Sequence, residues 1–267
     1  MPIFNDNDIA YHYLDTGDGF PFVFQHGMGG DTRQILDTFH DPSPYRLVSL
    51  DCRGHGKTTP LGPISSLSFH QFSEDLLGLL NHLAMDKVMI GGISMGAGVA
   101  LNFAQRYPER VTALVLVRPA WLDQPLPPNL QVYPRIAALI RHYGAARAGD
   151  IFQQSDEYLA IHQAYPVGAA SLVKQFARSK AQEYVAMLER LPVDVPVPAL
   201  VDLSLSDLPT LILVNENDPI HPHHYGEVLH QSIPGSRLET ITSKETDARQ
   251  HVLDIEDAMQ RFCRAWE

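Results

Sequence analysis

The fold is decided by residues 87–107, which are KVMIGGISMGAGVALNFAQRY. The apolar run that ends at Ile90 predicts a short buried strand, and the residues from Met95 onward predict a helix that is apolar on almost every side. Between them lies the pattern G-x-S-x-G, centred on Ser94, in which a strand turns directly into a helix. Side chains two positions away on either side of such a turn would collide, and glycine removes the collision.

This turn presents one hydroxyl group, that of Ser94, beside the N-terminus of a helix. The free N–H groups and the helix dipole at that position stabilise a developing negative charge. A strand-to-helix turn of this kind also requires a strained backbone, which is common at functional sites. The stretch therefore predicts that Ser94 is a nucleophile, the alternative being an ordinary capping serine in a glycine-rich turn.

Composition narrows the class of protein. The chain has 267 residues, of which 45 % are hydrophobic and 19 % are charged, as is typical of a globular protein. Its formal net charge of −11 disfavours nucleic acid or an anionic membrane surface as a partner. The two cysteines, Cys52 and Cys263, are predicted to be reduced thiols. The first residues lack a signal-peptide pattern and no run approaches the length of a membrane span, so we expect a cytoplasmic protein that is not membrane-bound.

Apolar strand patterns alternate with helical patterns along most of the chain, which predicts an α/β doubly wound sheet. Two short strand patterns near residues 3–4 and 9–14 open the chain. A helical pattern precedes the central stretch, and another follows residue 251. Further strands are predicted at 21–25, 45–50, 111–117, 209–215 and 236–242, and helices at 32–39, 68–84 and 222–232.

The alternation is interrupted between two of these strands, where only helical patterns and prolines occur. We therefore predict a core domain formed by residues 1–118 and 208–267, and a helical lid formed by residues 119–207. An insertion at this place leaves the sheet at its carboxyl edge, where ligands bind in open α/β folds. We expect the lid to cover Ser94 and to supply most of the substrate pocket.

Chemically useful residues follow several of the predicted strands. Asp218 comes just after the strand at 209–215, and the polar loop 243–250 after the final strand leads to His251. A carboxylate in such a loop can reach a histidine beside Ser94. After the strand at 21–25 comes the run His26-Gly27-Met28-Gly29, whose glycines allow a backbone N–H to approach a ligand closely.

The chain order of Ser94, Asp218 and His251 resembles that of the α/β-hydrolase superfamily. The runs HGMG at 26–29 and DCRGHG at 51–56 match motifs of the same superfamily. The resemblance covers essentially the whole chain. It implies a mostly parallel eight-stranded sheet with helices on both faces and an inserted helical lid.

The resemblance also implies roles for individual residues. Ser94 would be the nucleophile, His251 the general base, and Asp218 the carboxylate that orients the imidazole. The backbone N–H groups of Met28 and Met95 would form the oxyanion hole.

The substrate pocket is expected to include four residues near this edge: His26, Gly27, Trp121 and Arg118. Arg118, at the end of a strand, either binds a substrate carboxylate or makes a structural ion pair. We expect no cofactor and no metal, because the histidines at 221, 223 and 224 lack an obvious fourth ligand.

Alternatives exist for the base and for the acid. His221, His223 and His224 are alternative bases, although they follow Asp218 too closely to leave it for a separate partner loop. Many relatives have glycine directly before the catalytic histidine, whereas this chain has Gln250. The alternative acid is Asp123.

We expect a serine hydrolase that acts on a small to medium carboxylic ester or lactone, as a monomer or homodimer. Two other functions fit the same residues. One is hydrolysis of a carbon–carbon bond in a dioxo acid, and the other is a ligand receptor that retains the triad. The polar loop 51–56 is expected to be structural, with Asp51 and Arg53 tying down neighbouring backbone.

Overall fold

The computed structural model describes residues 2–39, 44–178 and 180–264. Within these residues, eight strands form one sheet in the order β1-β2-β4-β3-β5-β6-β7-β8. The strands are β1 Ile3–Asp6, β2 Ile9–Thr16, β3 Phe20–Gln25, β4 Tyr45–Leu50, β5 Val88–Ile93, β6 Val111–Val117, β7 Thr210–Val214 and β8 Arg237–Thr240. The helices are α1 Phe69–His82, α2 Met95–Arg106, α3 Val132–Tyr143, α4 Ala145–Gln153, α5 Asp156–Ala164, α6 Pro166–Val173, α7 Ala181–Arg190, α8 His223–Ser232 and α9 Ala248–Cys263.

The sheet is parallel from β4 to β8, and β1 and β2 are antiparallel to their neighbours. Every residue of β5 and of β7 is buried. Successive side chains of β5 enter different cores: Val88 and Ile90 belong to one hydrophobic cluster, and Met89 belongs to the other. The sheet is therefore covered on both faces, as the continuous apolar strand patterns predict.

Helices α1 and α9 cover opposite faces of the sheet, and each begins at a capping side chain. The Ser68 side chain caps α1 by accepting a hydrogen bond from the Gln71 N–H, and the side chain of Asp247 caps α9 in the same way. The apolar stripe of α1 joins the first cluster, whereas the stripe of α9 joins the second. The predicted α/β fold, with an eight-stranded and mostly parallel sheet, is confirmed.

Five helices, α3 to α7, lie between β6 and β7, and the described residues of this interval form no strand. Helices α3 and α7 are joined by an ion pair between Arg141 and Glu189, in which the Nε–Oε1 distance is 2.6 Å. Their buried faces belong to the same hydrophobic cluster as one face of the sheet. The division into a core domain and a lid remains a prediction. None of the described helices is long and apolar enough to span a bilayer.

Three predicted boundaries are corrected. The helix expected at 32–39 is only a 3₁₀ turn at Thr32–Ile35, where the Gln34 N–H donates to the Asp31 carbonyl and the Leu36 N–H to the Arg33 carbonyl, each three residues earlier. The last strand ends at Thr240, two residues earlier than expected. Helix α9 begins at Ala248, so His251 lies in a helix and not after a loop.

Candidate active site

Ser94 lies at the junction of β5 and α2, with φ 58° and ψ −114°. This conformation is rare for a residue with a side chain and costs about 1–3 kcal/mol. Its N–H donates to the Val117 carbonyl over 3.0 Å, which anchors the turn. A Cβ atom on Gly92 would collide with the backbone of Gly96, and one on Gly96 would collide with the Gln25 carbonyl. The two glycines therefore have the steric role that the sequence predicts.

A continuous chain of hydrogen bonds joins Ser94, His221 and Asp218. The Oγ of Ser94 lies 2.9 Å from Nε2 of His221, and Nδ1 of His221 lies 2.9 Å from Oδ2 of Asp218. When the proton is on Nδ1, that atom donates to the carboxylate, and Nε2 accepts the hydroxyl proton of Ser94. This is the arrangement that a hydroxyl nucleophile requires from its base.

A tight turn after β7 makes this chain possible. Oδ1 of Asp218 accepts hydrogen bonds from the N–H groups of Ile220 at 3.0 Å and His221 at 3.2 Å. Such a turn, in which an aspartate binds the backbone just after it, folds the chain back over the carboxylate. The other carboxylate oxygen, Oδ2, therefore faces the imidazole of His221.

Arg118 holds the other side of Asp218. It follows β6 with φ 48°, and its Nη2 donates to Oδ2 of Asp218. The same nitrogen lies 3.2 Å from the Tyr165 hydroxyl and 3.1 Å from Nδ1 of His221. A protonated Nδ1 of His221 cannot accept a hydrogen bond, so Arg118 donates to the Asp218 carboxylate and to the Tyr165 hydroxyl oxygen. Of the two alternatives for Arg118, the structure shows the ion pair.

The surroundings set the charges of the two titratable partners. Burial opposes ionisation of Asp218, but His221 and Arg118 outweigh it and hold the pKa of this carboxyl well below its usual range. Burial lowers the pKa of His221, and the positive charges of Arg118 and Lys244 oppose the raising effect of Asp218. At neutral pH the site therefore contains a carboxylate and a neutral imidazole.

The backbone N–H groups of Met28 and Met95 are the predicted oxyanion donors. In the described part of the chain, no backbone carbonyl accepts a hydrogen bond from either group. The loop that carries Met28 is shaped by a hydrogen bond from the Gly27 N–H to the Gln34 side chain over 2.7 Å. A Cβ atom on Gly27 would lie 3.4 Å from the Cβ of Ser94, so this loop lies directly against the nucleophile.

A cavity of about 240 Å³ opens above Ser94 and His221. Part of its lining comes from the helices between β6 and β7, through side chains that include Tyr133, Tyr165 and Leu172. The lining combines a few apolar side chains, such as Ile93 and Leu172, with a larger number of polar and charged ones.

Two expected pocket residues are placed elsewhere. His26 is buried; its Nδ1 lies 2.9 Å from the Gly27 carbonyl, and its Nε2 accepts from the Cys52 N–H over 3.1 Å. Trp121 is also buried, and its Nε1 donates to the Leu191 carbonyl over 3.1 Å. Both rings are held by backbone groups and do not line the cavity around Ser94, whereas Gly27 and Arg118 do.

The expected hydrogen bond between His251 and Ser94 is absent. The ring of His251 is held by the Thr242 carbonyl, 2.7 Å from Nδ1, and among the described residues its buried Nε2 has no partner. Burial lowers the pKa of His251 to about 4. Because α9 begins at Ala248, the ring lies in the first helical turn, and His221 takes the place beside Ser94. The signal for His221 was the spacing from Asp218, since an aspartate turn brings the third residue back.

The other acidic candidate, Asp123, has a structural position. Its Oδ2 accepts from the Leu200 N–H over 3.1 Å, which ties together the two ends of the segment between β6 and β7. It does not line the cavity around Ser94.

In the loop at 51–56, Asp51 ties down neighbouring backbone, as predicted. Asp51 accepts from the N–H groups of Thr32 at 2.7 Å and Lys57 at 2.8 Å. Arg53 instead pairs with the buried carboxylate of Asp75, with an Nε–Oδ2 distance of 2.6 Å. The described residues contain no group of three histidine, cysteine or acidic side chains placed to hold a metal ion.

Comparison with known proteins identifies the family. The family model described as alpha/beta hydrolase fold matches residues 21–244. This chain belongs to that family. The predicted superfamily and the prediction of an α/β-fold hydrolase are confirmed.

Sequence identity to individual curated proteins is low, or is confined to part of their length. The chain is 25 % identical over 280 residues to 3-oxoadipate enol-lactonase 2 of Acinetobacter baylyi, covering 98 % of this chain and 100 % of that protein. It is 39 % identical over 100 residues to a proline iminopeptidase of Arabidopsis thaliana, covering 37 % of this chain and 26 % of that protein. The matches to the first three curated relatives span only 26 to 36 % of those proteins' length.

Solved structures agree in fold. An esterase from Thermogutta terrifontis has a TM-score of 0.67 at 24 % identity, over 97 % of this chain and 93 % of that one. The enol-lactonase from Burkholderia xenovorans LB400 has a TM-score of 0.68 at 22 % identity, over 99 % and 98 % of the two chains. At these identities the likeness shows the fold alone.

Proposed function

We propose that this chain is a serine hydrolase of small to medium carboxylic esters and lactones, working through an acyl-enzyme on Ser94. The observation that carries the proposal is the hydrogen-bonded chain from Ser94 through His221 to Asp218, in the cavity above the strand-to-helix turn. His221 replaces the base that the sequence suggested, His251.

In the first half of the reaction, Nε2 of His221 takes the proton of Ser94 while Oγ attacks the substrate carbonyl carbon. Negative charge then develops on the carbonyl oxygen, and the N–H groups of Met28 and Met95 donate to it. Removing one such donor typically costs about 100- to 1000-fold in rate. Asp218 keeps the imidazole in the required tautomer and stabilises its charged form.

His221 then donates its proton to the leaving oxygen, and the bond between that oxygen and the carbonyl carbon breaks. In an ester the alcohol departs, whereas in a lactone the alcohol remains at the other end of the acyl group. Water, deprotonated by the same imidazole, attacks the acyl-enzyme and releases the acid.

The names of similar proteins support this choice of reaction. One is a 3-oxoadipate enol-lactonase, one is an esterase, and a third is described as an N-acyl homoserine lactone degrading enzyme. The apolar wall of the cavity, formed by Met28, Ile93 and Leu172 among others, fits an acyl or aryl group.

The direct test is labelling with a small fluorophosphonate, followed by peptide mapping and an assay with uncharged 4-nitrophenyl esters. The label should be on Ser94, and Ser94→Ala should lose both labelling and turnover with its melting temperature nearly unchanged. Ser171 lines the same cavity, and no hydrogen bond joins it to His221 among the described residues, so Ser171→Ala is the matched control and should retain labelling. Absence of turnover in the wild-type protein, or a label on another serine, would refute the proposal.

A further inference from the structure

The cavity around Ser94 differs in charge from the rest of the molecule. Three cationic side chains line it, those of Arg118, Lys174 and Lys244, and Asp218 is the one carboxylate among the described lining residues. The whole chain has a formal net charge of −11. A positive cavity in an acidic protein attracts small anions and repels cations.

The carboxylate of Asp218 does not neutralise the two lysines. Its Oδ2 interacts with Arg118 and His221, and its Oδ1 with two backbone N–H groups. Elsewhere among the described residues, no carboxylate lies within 4.0 Å of the Lys174 or Lys244 ammonium group. Asp37 acts on Lys244 only from a greater distance.

Lys244 and Lys174 reach the cavity from separate elements. Lys244 is in the segment that joins β8 to α9, and Lys174 directly follows α6. Lys244 is partly buried, whereas Lys174 is exposed. Burial lowers the pKa of Lys244, and the nearby charge of Arg118 lowers it further. Burying an ammonium group without a counter-charge is unfavourable, and an anionic ligand would remove that penalty.

We infer that the preferred substrates carry a carboxylate, which Lys244 and Lys174 bind while Ser94 attacks the ester or lactone carbonyl. This inference rests on the proposed function and specifies its substrate class. The lysines are specificity-determining residues in this account and take no part in proton transfer. Arg118 keeps its ion pair with Asp218, and its positive charge adds to the attraction of the substrate carboxylate.

The kinetic test compares each anionic ester with its own neutral methyl ester. One pair is 4-nitrophenyl hydrogen adipate and its methyl ester, with the carboxylate on the acyl side. The other is 3-acetoxybenzoate and methyl 3-acetoxybenzoate, with the carboxylate on the alcohol side. In at least one pair the wild-type kcat/KM should favour the anion by about ten- to a hundredfold, the effect of hydrogen bonds to a charged group.

Lys244→Met should reduce this anion-to-neutral ratio about tenfold, and the double variant with Lys174→Met should abolish it. Lys87→Met is the matched control, because Lys87 is exposed just before β5, at the opposite end of the strand from Ser94, and its ratio should equal that of the wild type. Equal rates for the anion and its methyl ester in both pairs, or a preference that survives in the double variant, would overturn the inference.

A binding test separates this inference from the proposed function. Adipate and 3-hydroxybenzoate are titrated by calorimetry into the Ser94→Ala variant, which needs no catalysis. At least one anion should bind, and adding Lys244→Met should weaken its binding about tenfold or more. If neither anion binds, the carboxylate subsite is absent even if neutral esters are hydrolysed. If Lys244→Met abolishes binding but the wild-type protein hydrolyses no ester, the carboxylate subsite is supported and the proposed reaction is refuted.

Discussion

The ring of His221 lies between a fully buried carboxylate and the hydroxyl of Ser94. Its two neighbours have opposite effects on its charge. Asp218 favours the imidazolium, while burial, Arg118 and Lys244 favour the neutral ring, and together they lower the pKa of His221. A general base must be unprotonated when the substrate binds, so this shift keeps the ring ready over a wider range of pH.

The pH dependence of kcat/KM for an uncharged ester should report this pKa. Protonation of Nε2 removes the acceptor for the Ser94 proton, so activity should be retained above the pKa of His221 and lost below it. Because that pKa is lowered, the acidic limb should have its midpoint below about 6.5, the ordinary value for histidine. A midpoint clearly above that value would contradict the described surroundings of His221.

The strand-to-helix turn at Ser94 packs directly against the loop after β3. A Cβ atom on Gly96 would collide with the carbonyls of Gln25 and His26, so the two segments touch backbone to backbone. This contact sets how closely the loop that carries Met28 approaches the turn that carries Met95. The proposed oxyanion hole therefore depends on a glycine that is not itself a donor.

Gly96→Ala should destabilise the protein by about 1–3 kcal/mol, the usual range for overpacking, although alanine favours helices. It should also reduce kcat, because the loop that carries Met28 must move. The control is Gly149→Ala in α4, where the atoms nearest to the added Cβ belong to the Phe176 side chain, at 3.3 Å or more. Denaturant unfolding should show little loss for the control. Equal stability of both variants would show that the backbone contact is not important.

At the scale of the whole molecule, the cavity joins two parts of the chain. The sheet edge supplies Ser94, Asp218 and the loop after β3, while the helices between β6 and β7 supply Tyr133, Tyr165 and Val167 among others. Reactivity should therefore depend on the sheet edge, and the choice of substrate on the helices.

Val167→Ala should shift preference toward bulkier acyl chains, because it enlarges the cavity without removing a buried core residue. Fluorophosphonate labelling of Ser94 should stay nearly unchanged, since a small phosphonate does not need the extra space. Val201 lies in the same segment but is 90 % exposed and away from the cavity, so Val201→Ala is the control. The same chain-length profile in both variants would argue against a role for these helices in selectivity.

The sheet and the position of Ser94 were predictable because their signals are local. An apolar strand, two glycines and an apolar helix specify the turn within a few residues, and the flanking strands repeat the same pattern. The histidine was not predictable in this way. The three-residue spacing from Asp218 allows a turn that brings His221 back, but whether His221 or His251 faces Ser94 also depends on where α9 begins, which spacing along the chain does not show.

Trp121 illustrates the same limit. It follows a strand at the ligand-binding edge, so a place in the pocket was a reasonable prediction. Its indole N–H instead donates to the carbonyl of Leu191, which is 70 residues later in the chain. Such a contact exists only after the helices have packed against the sheet.

The most direct test of the account compares His221→Ala with His251→Ala in steady-state hydrolysis of an uncharged 4-nitrophenyl ester. We expect His221→Ala to lose at least about 1000-fold in kcat, since members of a triad act as a unit, with its melting temperature nearly unchanged. His251→Ala should retain most of the wild-type kcat but melt at a lower temperature, because it leaves the Thr242 carbonyl without its partner. Full activity in His221→Ala together with loss of activity in folded His251→Ala would contradict the account.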